Sequence, residues 1–211
     1  MSRETQAAPP SAASDEIALF PLRTVLFPDG PLALRIFEPR YLDMTRAALK
    51  NERDFGVLHI RSGAEVGPAE TVDIGTSARI VDFHQLPEGL LGITCRGMLR
   101  FRLRSRRQQR DGLNLGAVEW LIEPPQVPVP ARFEPLARLV ESMLLEFGDL
   151  YEGVARRLDD ATWIGYRLSE MLPLRPADRQ HSLELDDPIA RLELIASINV
   201  RRSVRTRDRD A

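Results

Sequence analysis

The hydrophobic pattern of this chain changes its period once, and that change limits the folds open to it. Up to about Ile122, apolar residues form short runs or alternate with other residues, as in Leu32-Ala-Leu-Arg-Ile36. This pattern is typical of half-buried strands. From Leu136 onward they recur every three or four positions, the spacing of amphipathic helices. A strand-rich part followed by a helical part predicts an α+β fold.

The two patterns are separated by a proline-rich segment, which guides the division of the chain. Five of the 16 prolines lie between Glu123 and Pro135, a composition that favours a stiff, extended connector. We therefore predict five segments. These are a disordered tail at 1–14, a β-barrel subdomain with one inserted helix at 15–123, a connector at 124–135, a helical bundle at 136–200 and a basic flexible tail at 201–211.

The first part contains many short predicted strands with turns between them, which favours a small barrel because closure removes exposed sheet edges. Gly97 is expected to break the strand pattern between Leu90–Arg96 and Met98–Arg104. In the second part, Asp159 or Asp160 precedes one apolar helical run and Asp187 precedes another, so we interpret these residues as helix caps rather than as acid–base groups.

Composition excludes several classes of site and predicts a location. The net charge is −2, so no global field favours nucleic acid or membrane. No run reaches the roughly 18 apolar residues of a membrane span, and the N-terminus has no apolar core of a secretory signal. The single cysteine, Cys95, allows neither an internal disulfide nor a Cys-rich zinc site. Together these features predict a cytoplasmic protein.

The residues needed for catalysis are scarce. The only lysine is Lys50, and no phosphate-binding loop surrounds it. His59, His84 and His181 lie in no recognised catalytic or metal-binding motif. We therefore predict no metal, no cofactor and no enzymatic activity; an unrecognised hydrolase remains an alternative.

The strongest charge feature is a run of alternating arginines on one predicted strand. Its members are Arg100, Arg102, Arg104 and Arg106. Because they alternate with Leu99, Phe101 and Leu103, the period predicts four guanidiniums on one face and the apolar side chains on the other. One interpretation is contact with RNA phosphates or an acidic peptide. The other is a solvated face, or pairing with the protein's own acids.

Several stretches resemble a known family. The run Ile17-Ala-Leu-Phe-Pro-Leu-Arg-Thr-Val-Leu-Phe-Pro28 and the following Gly30–Tyr41 resemble the start of the Lon protease N-terminal (substrate-binding) domain, most of all its stand-alone bacterial versions. Weaker similarities continue through Val72–Ile80, Cys95–Phe101, Leu168–Leu174 and Ala190–Leu194, so that the resemblance covers about residues 15–200. It implies a PUA-like β-barrel followed by a C-terminal helical bundle.

The resemblance also implies a role. In full-length Lon this module recognises substrate proteins ahead of the ATPase, so we expect a non-catalytic module that binds unfolded or peptide segments of client proteins. No phosphate loop or Ser-Lys dyad is found, so we expect no ATPase or protease part. A separate protease or chaperone is a further candidate partner. The alternative is an RNA-binding PUA-like protein, although nucleic acid and membrane are not the expected partners.

We place the candidate peptide-binding site at the corner between a strand and the inserted helix. Its residues are Arg35, Phe37, Glu38, Arg40 and Tyr41. If Leu32, Leu34 and Ile36 point inward, Phe37 has outward parity and could anchor a partner. Alternatively, Phe37 and Tyr41 pack between barrel and helix while Glu38 and Arg40 hold the corner.

Overall fold

The computed structural model describes residues 15–65, 69–123 and 125–207. These ranges contain seven strands and five α-helices. The strands are β1 (Asp15–Leu22), β2 (Pro31–Ile36), β3 (Phe55–Gly63), β4 (Ala69–Thr71), β5 (Ile74–Gln85), β6 (Leu91–Gln108) and β7 (Asn114–Trp120). The helices are α1 (Pro39–Asn51), α2 (Glu134–Glu146), α3 (Ala161–Met171), α4 (Pro176–Glu184) and α5 (Pro188–Arg207). The predicted α+β class is confirmed. None of the helices in these ranges is both long and apolar enough to cross a membrane.

The strands form one sheet that closes on itself. Their order is β1-β7-β6-β5-β3-β4, and β1 also pairs with β3 in parallel, which completes a ring of five strands. β2 pairs with β6, and β4 pairs with β3, so both lie off the ring. The sheet is therefore not a clean barrel, although its closure protects most of the strand edges.

The strand β6 is longer than the sequence suggests. It runs without interruption from Leu91 to Gln108, so the prediction that Gly97 divides it is wrong. Gly97 is required for another reason, because the backbone of Phe27 crosses directly over it. A glycine in a strand can mark such a close approach as well as a break.

The inserted helix α1 closes one end of the ring. Pro39 is its first residue, a position where proline costs no hydrogen bond. The helix buries Tyr41, Met44 and Ala48 in the core, where the Tyr41 ring stacks on Phe20 at a centroid distance of 4.0 Å. It ends at Asn51, and the residue that caps it, Glu52, has a backbone φ of 50°.

The helical half packs around α3, most of which is buried. The α3 cap is Asp160, which accepts a hydrogen bond from the Thr162 backbone at 2.9 Å, and Asp187 accepts one from Ile189 at 2.8 Å. Asp187 is thus the cap that the sequence predicts, and of the two alternatives Asp159 and Asp160 the structure selects Asp160. The apolar core beneath them includes Val140, Leu144, Trp163, Ile164, Leu168, Leu192 and Ile195.

The ends of the helical half differ from the sequence-based division. Val127 accepts a hydrogen bond from Ala161 and Val129 donates one to Asp159, so the connector is hydrogen-bonded to the bundle next to the start of α3. Helix α5 continues through Arg207, into the segment predicted to be a flexible tail. Arginine is a good helix former, and no glycine or proline interrupts this stretch. The tail predictions for residues 1–14 and 208–211 lie outside the described residues.

Buried polar contacts join the two halves. The Arg167 guanidinium donates to the Pro28 carbonyl at 2.6 Å, and the Gln180 amide donates to the Ile74 carbonyl at 3.0 Å. Glu170 lies next to them and accepts a hydrogen bond from the Tyr151 hydroxyl at 2.9 Å, with Arg167 3.3 Å away. Its burial raises its pKa, although the Arg167 charge and the Tyr151 hydrogen bond oppose that effect.

The raised pKa of Glu170 predicts a pH-dependent stability. The folded protein binds this proton more tightly than the unfolded chain, so the stability present below the unfolded pKa is lost as pH rises through the folded pKa. A tenfold difference in proton affinity between the two states corresponds to about 1.4 kcal/mol. We therefore compare Glu170→Gln with the wild type by urea unfolding at about pH 4.5 and about pH 7.5. The stability of the variant relative to the wild type should be greater at the higher pH, where the wild type has lost this contribution. Glu141→Gln, at an exposed position of α2, is the control. If the free energy of unfolding of Glu170→Gln differs from that of the wild type by the same amount at both pH values, the prediction is contradicted.

Candidate functional site

Arg100, the first member of the predicted basic strand, is buried within the protein. Its guanidinium donates to Glu123 at 2.6 Å, to Asp186 at 3.0 Å and to the Leu183 carbonyl at 2.9 Å. Burial opposes its charge, but the neighbouring Tyr166, Glu123 and Asp186 together outweigh burial and leave its pKa raised. Leu99, predicted to face the core, is 41% exposed. Phe101 is fully buried as predicted, whereas a register shift against β5 between Gly97 and Arg100 marks a bulge that leaves Leu99 exposed, and the helical half covers Arg100.

The remaining arginines of that strand do not share one face. A register shift between Leu103 and Ser105 leaves Arg106 opposite Gly116, whereas Arg102 lies opposite Glu119. A one-residue bulge reverses which side chains point outward, so the prediction of four guanidiniums on one face is wrong. Arg104 pairs with Glu119, and Arg106 donates to the Thr71 hydroxyl.

The corner chosen from the sequence is divided between packing and exposure. Tyr41 is buried in the core, and Arg40 pairs with Glu38 at 2.7 Å and donates to the Gly112 carbonyl at 3.0 Å. These three residues therefore hold the corner in place. Phe37 is 57% exposed and Arg35 is also exposed. Of the five candidates, these two are the ones classed as exposed to solvent.

A second exposed apolar region lies on the sheet next to this corner. We call it the outer sheet: β2, residues 91–96 of β6 and residues 79–85 of β5. Leu34 and Phe83 both lie opposite Ile93, so the three side chains form one row on one face. Phe83 is nevertheless 60% exposed, and Val81 is 51% exposed. Large apolar side chains are therefore accessible along the end of β5.

A cleft separates the end of α1 from β5. Its volume is about 360 Å³, and it is lined by Ala48, Leu49, Glu52, Arg53, Arg79 and Ile80. We call it the α1–β5 cleft. Ala48, Leu49 and Ile80 make part of its wall apolar, and the other three residues contribute charge. Arg79 donates to Asp54 at 2.8 Å, a bond that raises the pKa of Arg79.

In the part of the chain that the structure describes, the edge of β5 beside this cleft has no neighbouring strand. β3 pairs with β5 only as far as Phe55 opposite Ala78, whereas β6 pairs with β5 as far as Gln85. The reason is local, because the chain enters β3 directly from the turn that ends α1. Among the described residues, the segment Arg79–Gln85 is therefore paired on one side only. We call it the free edge of β5.

Leu49, Val81 and Phe83 were not among the residues chosen from the sequence. The sequence did contain an indication of this exposed region. Ile80, Val81 and Phe83 place apolar side chains on both faces of the end of one strand. A half-buried strand would show strict alternation. The break in alternation indicates that at least one apolar side chain faces outward. It does not indicate whether another element of the fold covers that side chain.

Reactive side chains in the described ranges do not form a catalytic cluster. Cys95 is buried, and burial raises the pKa of its thiol to about 12, so the reactive thiolate is disfavoured. Across the same ranges, no three His, Cys, Asp or Glu side chains are grouped closely enough to hold a metal ion. Three exposed features suited to binding lie around the end of β5, namely the outer sheet, the α1–β5 cleft and the free edge of β5, and further exposed apolar side chains such as Leu145 lie on the helical half.

Comparison with known proteins adds to this geometry. The model of the ATP-dependent protease La (LON) substrate-binding domain matches residues 16–201. A Lon N-terminal domain protein from Xanthomonas campestris, known from a crystal structure, is 36% identical with a TM-score of 0.73, covering 87% of this chain and 98% of that one. The N-terminal domain of Mycobacterium avium complex Lon protease shares the fold, with a TM-score of 0.59 at 15% identity, covering 87% and 97% of the two chains.

Longer proteins also match. Lon protease 2 of Myxococcus xanthus is 26% identical over 208 residues, which are 92% of this chain and 25% of that protein. Lon protease of Escherichia coli (strain K12) is 23% identical over 193 residues, which are 87% of this chain and 24% of that protein. The chain therefore spans about a quarter of the length of the curated relatives it matches.

Proposed function

Because this chain belongs to the Lon substrate-binding domain family, we propose that it is a non-catalytic module that binds unfolded or peptide segments of client proteins. The observation that carries the proposal is the exposure of Val81 and Phe83 on a strand that borders the partly apolar α1–β5 cleft. Contiguous exposed apolar surface with a polar rim is characteristic of protein interaction sites. Unfolded segments supply the complementary apolar side chains.

Further parts of the proposal concern partners and location. We propose a separate protease or chaperone as a further partner, because the proteins that match this chain over about a quarter of their length are Lon proteases. The single cysteine is buried and without a disulfide partner, which is compatible with work in the reducing cytoplasm.

Nucleic acid is the weaker alternative. It rests on the arginines of β6, of which Arg100 is buried, Arg104 pairs with Glu119 and Arg106 is bonded to Thr71. Arginines that are already paired offer less to a phosphate than free ones. No observation in the described residues favours a hydrolase.

The test is binding of a reduced, carboxymethylated unfolded protein, measured by fluorescence anisotropy. We expect Phe83→Asp and Leu49→Asp each to weaken binding about tenfold, because each places a charge where apolar contact is made. Leu145→Asp is the matched control, since Leu145 is an exposed apolar residue of α2, far from the cleft in sequence and on another element. Binding that is absent in the wild type, or equally reduced by all three variants, would overturn the proposal.

A further inference from the structure

We propose that the bound segment is extended and adds as a strand to the free edge of β5, with an apolar side chain in the α1–β5 cleft and a neighbouring acidic residue against Arg53. The inference rests on the proposed function and specifies how the site would recognise its ligand. It names the conformation of the bound chain, the side chain it must carry and the charge that should stand beside it.

The free edge supplies the backbone contacts. Six of the seven residues of Arg79–Gln85 pair with β6 on one side, Val81 lies at a register shift, and none of the seven pairs with a strand on the other side among the described residues. In an extended strand, successive backbone N–H and C=O groups alternate between the two sides, so part of this set is directed away from β6. Such an edge is a template for another extended chain.

The α1–β5 cleft supplies side-chain selectivity. It lies between the last turn of α1 and the start of the free edge, since Arg79 and Ile80 line one wall and Ala48 and Leu49 line the other. Its volume of about 360 Å³ is near the lower end for ligand pockets, which begin at roughly 300 Å³. An added strand directs alternate side chains to one face, so one of them would enter the cleft.

The charged residues at the rim of the α1–β5 cleft indicate which residue the bound segment should carry next to its apolar side chain. Arg79 is held by Asp54, and Glu52 also acts on it and raises its pKa. Two acids thus face this one arginine. Arg53, on the same rim, forms no ion pair or side-chain hydrogen bond in the part of the chain that the structure describes. An acidic residue beside the apolar one would complement this charge, and charge matching of this kind chooses among partners.

The test uses fluorescein-labelled ten-residue peptides of Ser and Thr with one central Leu and an adjacent Asp. N-methylation removes a backbone donor without changing the side chain. In a peptide that pairs as a strand, methylation at alternate positions should weaken binding about tenfold. Methylation at the intervening positions, where the N–H faces solvent, should change affinity little.

A second arm tests the charge. Arg53→Gln should weaken binding of the Asp peptide about threefold, in line with an exposed ion pair, and leave the matched Asn peptide unchanged. Equal effects on the Asp and Asn peptides would overturn the role given to Arg53.

The outcomes separate this inference from the proposed function. If the wild type binds the unfolded protein but ignores N-methylation, or does not bind the peptide, strand addition is overturned and client binding stands. If it binds neither ligand, both fail. If light scattering shows a dimer that must dissociate before the peptide binds, a second copy occupies the free edge and the inference is also overturned.

Discussion

Replacing Arg100 with alanine is expected to lower the free energy of unfolding by about 2–4 kcal/mol, because it removes a fully buried side chain together with its hydrogen bonds to charged groups. Its side chain is fully buried, where it bonds to Glu123 and Asp186 and to the Leu183 carbonyl. Alanine would leave these acceptors without their donor and would leave a void between β6 and the helical half. The measurement is urea unfolding followed by circular dichroism.

Arg104→Ala is the matched control for this experiment. It removes an arginine from the same strand, but Arg104 and its partner Glu119 are both about half exposed. Exposed pairs contribute about 0–1 kcal/mol, so Arg104→Ala should change the unfolding midpoint little. Similar losses for the two variants would contradict the assignment of Arg100 as the buried link between the halves.

The second large effect is expected from Gly97→Ala. A Cβ at this position would lie 2.9 Å from the carbonyl carbon of Phe27 and closer still to its oxygen. The crossing segment is held in place, because Gly97 donates to the Gly30 carbonyl and accepts from the Asp29 backbone, each at 2.8 Å. Backbone cannot move aside as a side chain can, so we expect a loss of about 3 kcal/mol, the upper end for overpacking.

Gly92→Ala, also on β6, controls for the general effect of replacing a strand glycine. Its new Cβ would meet the ring of His84 at 2.6 Å, and that ring belongs to an exposed side chain that can rotate away. We expect a change below about 1 kcal/mol, partly offset by the reduced freedom of the unfolded chain. Urea unfolding of both variants gives the comparison, and equal losses would show that the Phe27 crossing does not require glycine.

Local sequence pattern was sufficient wherever a structure depends on neighbouring residues. The caps Asp160 and Asp187 and the proline-started helix α1 follow from residues within one turn of each other. The period of the apolar residues separates the strand-rich half from the helical half for the same reason. These features need no knowledge of what packs against them.

The candidate site was predicted less well. Phe37 is exposed as its parity suggests, but Tyr41 is buried, and the binding role of the corner stays a prediction. The accessibility of Phe83 depends on where β3 begins to pair with β5, a matter of register between distant segments. The cleft depends on the packing of α1 against the sheet, which no single stretch of sequence specifies.

The sequence by itself determined the α+β class, the family resemblance and the ends of several helices, because each depends on local spacing or on a recognisable motif. Only the tertiary structure decided that Arg100 is an internal link and that the edge of β5 is free. Arg100 is buried by residues more than 80 positions later in the chain. The change in the spacing of apolar residues shows where one half of the chain ends and the other begins. The contacts between the two halves decide which polar side chains become buried.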